Sequence, residues 1–398
     1  MRAPTRRSVL TGLSATAATG LLTAPAHATS SSSAAGGGPW ARRAAETWRA
    51  LLDHFAVDDG SGLLREQVPA AEDDPEYSYE WPFSQAHVAA LDLTGIPGTG
   101  RKYRDDLRAL AAAQQHYWSP AGSTGLPGFA SAPLPPYASG GDFFYDDNLW
   151  VGLLDVQQYA MTGDRTALRE AQAISDLVDS GWDTDASHAA PGGVFWTQAP
   201  WSSDRNTVSN MPAAELDLRL FQFTRERRYL ERARKYHAWT NRYLQREDGL
   251  YHDHLDLEGV VETTVWSYNQ GVPVGVNVLL HLLTREREHL TEARRIADAS
   301  LAWFVDGGRL DSHPPFFNSI WFKNLLLLES VTGGHRYRDA MAAYAERMWT
   351  TRRDAATGLF VFPDGETGGA TTMLLQQAAM VQVFAVLAWN RKDHGLLY

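Results

Sequence analysis

The 398-residue chain contains no cysteine, so neither a disulfide framework nor thiol chemistry is available to it. Beyond residue 28 it has no apolar stretch long enough to cross a membrane as a helix. It also lacks, in any supporting context, the G-x-S-x-G, phosphate-loop and dinucleotide-binding fingerprints. Its stability must come from a hydrophobic core, which a hydrophobic content of 44% can supply.

Positive charge is also scarce. Lys and Arg number 36 against 47 Asp and Glu, and the net charge is −11. It becomes −14 once an N-terminal segment carrying Arg2, Arg6 and Arg7 is removed. An acidic surface of this kind argues against nucleic acid or anionic lipid as a partner. Aromatic residues are abundant instead, with 14 Trp and 15 Tyr, and large aromatic rings both fill cores and stack on sugar rings.

The N-terminus has the pattern of an export signal. Arg6 and Arg7 precede a modest apolar run, which ends in the small-residue motif Ala26-His27-Ala28. This predicts a twin-arginine signal peptide over residues 1–28, cleaved after Ala28. The Ser- and Gly-rich residues 29–38 predict a flexible linker. We therefore expect a secreted, monomeric protein with one folded domain over residues 39–398.

A short polar turn recurs along the chain and indicates a repeated helical hairpin. Its copies begin at Thr162, Thr224, Thr284 and Thr332, with a looser one at Thr94. Helical periodicity predicts twelve helices, over 40–56, 81–94, 101–116, 148–161, 166–180, 208–223, 228–244, 268–283, 288–304, 316–331, 335–348 and 371–390. The segment 268–283 has no charged residue, whereas 288–304 is charged along one face. Uncharged helices are buried and amphipathic ones cover them, so the pattern predicts an all-α (α/α)6 barrel.

The loops of this barrel predict where its site lies. Connections from inner to outer helices are short, whereas most connections from outer to inner helices are long. Long loops at one end of a rigid scaffold are where binding sites are built. The inner helices open at that end with WPFSQ (81–85), DDNLW (146–150), VSNMPAAE (208–215), SYNQG (267–271), FFNS (316–319) and GGATT (368–372). Amides, carboxylates and aromatics of this kind suit sugars, although Asn, Ser and Asp are also ordinary helix caps.

Asp146 and Asp147 open the second of these helices, and two readings remain. They form a helix cap that the helix dipole stabilises, or they form a glycosidase pair. In a glycosidase pair, one carboxylate attacks the anomeric carbon and the other protonates the leaving oxygen. The only dense histidine cluster is at His252 and His254. Without a second cluster at ligand spacing it favours no metal site, and we expect no cofactor.

Five successive segments resemble glycoside hydrolase family 76: WPFSQA, YDDNLWVGL, TVSNMPAAELDLRLF, WSYNQGVPVGVNVLL and PFFNSIWFKNLLLL. The resemblance covers nearly all of the chain after the signal peptide. It implies an (α/α)6 barrel and a retaining endo-α-1,6-mannanase whose partner is an α-mannan polysaccharide or oligosaccharide. It further implies that Asp146 is the nucleophile and Asp147 the acid/base. Candidate sugar-binding residues are Trp81, Trp150, Trp196, Trp266, Tyr268, Asn148, Asn210, Asn269 and Gln270.

Three alternatives stay open at this point. The same aspartate pair could transfer the glycosyl group to a sugar instead of water. A similar barrel could be an unsaturated-uronide hydrolase or an epimerase. The hydrolase would need basic residues for a carboxylate, whereas the predicted mouth offers mainly amides and aromatics. A non-catalytic carbohydrate-binding barrel would keep its function after Asp146→Asn.

Overall fold

The structure is a computed structural model that describes residues 38–362 and 371–398. The predicted signal peptide, nearly all of the predicted linker and part of the GGATT segment lie outside the described residues. Twelve α-helices make up most of the described chain: α1 (Pro39–Phe55), α2 (Glu80–Thr94), α3 (Arg104–Gln114), α4 (Tyr145–Thr162), α5 (Arg165–Ser180), α6 (Thr207–Thr224), α7 (Arg227–Tyr243), α8 (Tyr268–Thr284), α9 (Arg287–Leu301), α10 (Pro315–Thr332), α11 (Arg336–Thr351) and α12 (Leu374–Leu387).

The even-numbered helices form a closed ring. Each packs against the next, from α2 through α12, and α12 returns to α2. The odd-numbered helices lie outside this ring, and α1 packs on α12, which completes the sixth hairpin. The predicted (α/α)6 barrel, with even helices inside and odd helices outside, is confirmed.

Burial explains why the two sets of helices differ in sequence. Every residue of α12 is buried and none is charged. In α7, by contrast, the buried residues form a single stripe (Tyr229, Ala233, Tyr236, Trp239 and Thr240), and most of the other positions are polar or charged. A stripe spaced by three or four residues faces one neighbour, so α7 can only cover the ring.

The recurring threonine turn has a physical cause. Thr224 Oγ1 donates to the carbonyl of Leu220 in the last turn of α6 and accepts from the backbone N–H of Glu226. Between them, Arg225 adopts a left-handed φ of 63°, which ends the helix. Thr284 repeats both hydrogen bonds, and Arg285 has a φ of 68°. One threonine thus ends an inner helix and starts the outer one within three residues.

The long connections gather at the end of the barrel where the inner helices begin, as predicted. Within the described residues they carry seven short strands: β1 (Gln67–Val68), β2 (Trp118–Ser119), β3 (Gly128–Phe129), β4 (Asp204–Asn206), β5 (His254–Asp256), β6 (Val261–Glu262) and β7 (Thr372–Met373). β1 pairs with β7, β2 with β3, and β5 lies between β4 and β6, all antiparallel.

The opposite end of the barrel is covered by the C-terminal residues. Leu397 and Tyr398 are buried, and the Arg219 side chain of α6 donates to the carbonyls of Gly395 and Leu397. A cleft that reaches solvent at the long loops therefore has a closed floor. No helix within the described ranges is long and apolar enough to span a membrane.

Candidate active site

A cleft opens among the long loops at the N-terminal ends of the inner helices. Its volume is about 100 Å³. Twelve side chains line it, most of them aromatic or acidic: Trp81, Asp146, Trp150, Trp196, Asp204, Asn206, Val208, Asp253, His254, Trp266, Tyr268 and Phe317. The structure therefore brings together all five aromatic residues that the sequence predicts as sugar-binding, together with the first aspartate of the pair.

Neither Asp146 nor Asp147 is the N-cap residue of α4. The helix already begins at Tyr145, and its N-cap is Phe144, which makes no side-chain cap hydrogen bond. Both aspartates lie in the first helical turn and are buried, with 6% and 1% of their surface exposed. The positive end of the helix dipole favours negative charge there. Neither aspartate is therefore the N-cap residue, because the helix starts one residue before the pair, but both lie where the helix dipole of the cap interpretation acts.

Trp196, one of the aromatic residues of the cleft, contacts Asp146 directly. Its indole Nε1 donates to Asp146 Oδ2 across 3.1 Å. The backbone fixes this contact, because Tyr145 N donates to Trp196 O and Thr197 Oγ1 donates to Phe143 O. A charge-assisted hydrogen bond of this kind holds a carboxylate oxygen in one orientation.

A second acidic group comes from the strands at the mouth. β4 pairs with β5, so that Asn206 lies opposite His254. His254 Nδ1 is 2.9 Å from Asp253 Oδ2, and its Nε2 is 3.8 Å from Asp204 Oδ2. Asn269 Nδ2 donates to Asp253 Oδ1 across 3.0 Å. Asn269, predicted to bind substrate, is 2% exposed and acts here on Asp253.

Aromatic rings form the opposite wall. Tyr268 and Phe317 stack with ring centroids 4.0 Å apart and planes 5° apart. Trp266 and Trp81 both pack on Phe317, at 5.4 and 6.0 Å. Trp150 also lines the cleft and contacts Tyr268 with ring centroids 6.4 Å apart, but it is only 1% exposed. Flat rings beside carboxylates offer both stacking and hydrogen bonding to a polyhydroxylated ligand.

Three predicted sugar-binding amides are used by the backbone instead. Asn148, Asn210 and Gln270 are fully buried. Each accepts from the backbone N–H of a residue in the preceding loop and donates to the carbonyl of the same residue. The loop residues are Phe129, Val194 and Tyr251, respectively. Each amide also donates to the carbonyl four residues before it. Because their donors and acceptors are already satisfied, these amides fasten loops to inner helices and are not available to a ligand.

Sequence reasoning missed Asp204, Asn206, Asp253 and Phe317, and it considered His254 only as a metal ligand. The histidine cluster was the available signal, because it lies next to Asp253. His252 faces elsewhere, with its Nδ1 3.4 Å from the carbonyl of Thr263.

Glu286, Glu288 and His289 bring three potential metal-ligand atoms within 4.8 Å of one another. They follow the C-terminal end of α8, away from the cleft.

The chain is similar to proteins of one family. The sequence profile of glycosyl hydrolase family 76 matches residues 39–349. A 146-residue segment is 27% identical to the mannan endo-1,6-alpha-mannosidase DCW1 of Saccharomyces cerevisiae and covers 34% of this chain and 32% of the yeast protein. The match thus spans about a third of that relative's length.

Solved structures share the fold. A family 76 mannosidase of Bacteroides thetaiotaomicron is 24% identical, with a TM-score of 0.78 over 88% of this chain and 98% of that one. An inactive variant of an α-1,6-mannanase from Salegentibacter sp., bound to α-1,6-mannotriose, is 19% identical, with a TM-score of 0.70 over 88% and 99%. With a family profile that covers most of its length and a matching (α/α)6 barrel, this chain belongs to glycosyl hydrolase family 76.

Proposed function

We propose that this protein is a secreted, retaining endo-α-1,6-mannanase that needs no cofactor. The observation that carries the proposal is the position of the aspartate pair in the first turn of an inner helix, with Asp146 lining an aromatic cleft. Mannan as the substrate rests on the relatives, since the yeast protein is named as a mannan endo-1,6-alpha-mannosidase and the Salegentibacter enzyme as an α-1,6-mannanase. Export rests on the twin-arginine pattern of residues 1–28.

The relatives also favour this particular pair of aspartates. The Salegentibacter mannanase is inactive when two consecutive aspartates become asparagine or alanine. In this chain, consecutive aspartates occur at 58–59, 73–74, 105–106 and 146–147. Only the last pair is buried, and its first member lines the cleft.

The proposed reaction proceeds by two displacements. The Asp146 carboxylate attacks the anomeric carbon of a mannosyl unit while Asp147, as the carboxylic acid, gives its proton to the departing glycosidic oxygen. The bond from that carbon to the oxygen breaks, and a mannosyl ester of Asp146 forms. Asp147, now a carboxylate, takes a proton from water as the water oxygen attacks the same carbon. Asp146 leaves, and the two inversions together retain the α configuration.

The pocket supports this division of labour. Trp196 and the start of α4 both favour negative charge on Asp146, as a nucleophile requires. Asp147 is the next residue of the same helical turn and is almost completely buried, and its role as the acid rests on the resemblance to the family. Asp204 and Asp253 are the other carboxylates that line the cleft among the described residues.

The test is product analysis on linear α-1,6-mannan with four proteins: wild type, Asp146→Asn, Asp147→Asn and Asp105→Asn. Asp105 belongs to a consecutive pair in the first turn of the outer helix α3 and is the matched control. We expect internal cleavage by the wild type and the control, with products whose anomeric proton is initially α by NMR. Both cleft variants should lose activity.

An aryl α-1,6-mannobioside with a good leaving group separates the two roles. Its first step needs no acid, so Asp147→Asn should release the aryl group in a burst, whereas Asp146→Asn should release none. Cleavage surviving in both variants would show that the pair is not catalytic. Rearrangement of mannooligosaccharides without net hydrolysis would indicate a transferase, and binding without turnover would indicate a carbohydrate-binding protein.

A further inference from the structure

The cleft is too small for a polymer. Its volume of about 100 Å³ is below the roughly 300–1,000 Å³ typical of pockets that enclose a drug-sized ligand. A polysaccharide that places one bond at Asp146 must therefore run out over the protein surface. The question is which surface group meets the next sugar units.

Trp201 is the exposed aromatic residue beside this cleft. With 53% of its surface accessible, it is the only aromatic among the large hydrophobic side chains that are exposed in the described part of the chain. The others are Val260, Leu282 and Val305. A half-exposed tryptophan costs solvation free energy that a bound apolar face would recover.

Two rings lie between Trp201 and the proposed nucleophile Asp146. Its ring lies 6.1 Å from the ring of Trp196 and 6.1 Å from that of Phe144. These two rings in turn meet edge to face at 5.0 Å. Trp196 lines the cleft and holds Asp146, whereas Trp201 does not line it. Trp201 therefore continues the aromatic wall by one step, from inside the cleft to the surface.

A fixed turn holds this tryptophan. Ser202 N donates to Ala199 O across 2.9 Å, and Ser202 Oγ accepts from Thr197 N across 3.3 Å. Ala199 N also donates to Thr197 Oγ1. Because the turn is anchored to the strand-like segment that carries Trp196, the ring of Trp201 needs little ordering when it binds a ligand.

We propose that Trp201 is the stacking platform of an outer sugar-binding subsite that makes the enzyme prefer long glycan chains. The occupant is a neutral pyranose unit of the substrate polysaccharide, whose C–H face packs on the indole while its hydroxyls stay in water. This inference rests on the proposed function, because the glycan that crosses Trp201 is the one cleaved at Asp146.

The experiment measures how affinity depends on chain length. Linear α-1,6-mannooligosaccharides of increasing length are titrated by calorimetry into Asp146→Asn protein, which does not consume them. The same titrations use Asp146→Asn combined with Trp201→Ala, with Trp201→Phe, or with Leu282→Ala. Leu282 is an exposed apolar residue near the C-terminal end of α8, at the other end of the barrel, and serves as the control.

We expect the shortest oligosaccharide to bind all four proteins equally. For longer ones Trp201→Ala should bind roughly tenfold more weakly, and Trp201→Phe should restore most of the affinity because it keeps a flat ring. Trp201→Ala should melt at the wild-type temperature, since the side chain is half exposed. In active protein, Trp201→Ala should lower kcat/KM on mannan but not on the shortest cleavable substrate.

Two results would overturn the proposed subsite without contradicting the proposed mannanase function. One is an unchanged affinity at every chain length, which would make Trp201 an unused surface residue. The other is an equal loss at every length, which would show that it only supports Trp196. If the Asp146→Asn parent binds no mannooligosaccharide at all, the proposed substrate is wrong, and the proposed outer subsite is then wrong as well.

Discussion

The indole nitrogen of Trp196 donates to Oδ2 of Asp146 across 3.1 Å, which makes the aromatic wall and the proposed nucleophile one unit. The donor comes from the loop before α6, whereas the acceptor lies in the first turn of α4. Two hairpins of the barrel must therefore be in register for the carboxylate to be correctly oriented. The same residue thus has two roles: a ring for a sugar to contact and a donor for the reacting group.

Replacing Trp196 by Phe separates these roles, because Phe keeps a ring and removes the N–H. A hydrogen bond to a charged group contributes about 1.5–3 kcal/mol, so kcat/KM on mannan should fall by roughly 10- to 100-fold. Steady-state kinetics on the folded variant would measure this. Trp389→Phe is the control, because its indole donates to the carbonyl of Asp92 far from the cleft. An unchanged kcat/KM in Trp196→Phe would mean that the hydrogen bond does not serve the reaction.

Asn210 should affect stability and leave substrate binding unchanged. Its amide makes three hydrogen bonds to the main chain, two to Val194 and one to Asn206. Asn210→Leu leaves buried backbone groups unpaired and should lower the free energy of unfolding by about 2–4 kcal/mol. Urea unfolding measures this, with Asn390→Ala on the surface as the control. A raised KM with unchanged stability would instead return Asn210 to the list of sugar-binding residues.

Most of the helical architecture was predictable because it depends on local patterns. The buried inner helices and the amphipathic outer helices alternate as expected, and the twelve predicted helices lie within a few residues of the observed ones. The start of α4 was predicted at residue 148, three residues after the observed start at Tyr145. An apolar pattern cannot place a first turn that contains two aspartates, so the pair was predicted to precede the helix.

The cleft was only partly predictable, because half of it depends on long-range strand pairing. β4 brings Asp204 beside His254 of β5, some fifty residues later in the chain, and no local motif encodes that pairing. The predicted sugar-binding role of Asn148, Asn210 and Gln270 failed for a different reason. An Asn or Gln in a first helical turn suits a cap, a sugar or a loop carbonyl equally well, and only the tertiary structure shows that Phe129, Val194 and Tyr251 are the partners.

Lys323 and Asp92 form a buried ion pair, so substitutions at the two residues should have strongly coupled effects on the free energy of unfolding. The two side chains are 1% and 0% exposed, and Nζ lies 2.8 Å from Oδ2. Gln157 Nε2 also donates to Asp92 across 3.0 Å. Lys323→Met removes the positive partner and leaves a buried carboxylate, so it should cost about 3–5 kcal/mol. Adding Asp92→Asn removes that charge and keeps an acceptor for Gln157.

A double-mutant cycle by urea unfolding measures this coupling. The double variant should be more stable than Lys323→Met alone, because no unpaired charge remains in the barrel interior. If the two single effects simply add, the residues do not interact energetically and the ion pair is not a stabilising contact.

Glu215 should make the barrel less stable as the pH rises. Burial raises the pKa of its carboxyl from 4.5 to about 8, and neither oxygen has a hydrogen-bond partner among the described residues. It faces Gly275 of α8, where an added Cβ would lie 3.0 Å from Oε1. Below about pH 4.5 both the folded and unfolded states hold the proton. Between there and about pH 8 the unfolded chain releases it while the folded chain keeps it, so the free energy of unfolding decreases.

Glu215→Gln removes this titration and keeps the shape of the side chain. Relative to wild type, the variant should gain stability between about pH 5 and about pH 8, on the order of a few kcal/mol, as measured by urea unfolding at each pH. Some slope should remain, because burial also raises the pKa of Asp217 to about 8 and acts with the same sign. Asp217→Asn should reduce that remainder, since its amide oxygen can still accept from Ser175. Parallel stability curves for wild type and Glu215→Gln would mean that Glu215 already carries its charge in the folded barrel, where water or a cation would have to solvate it.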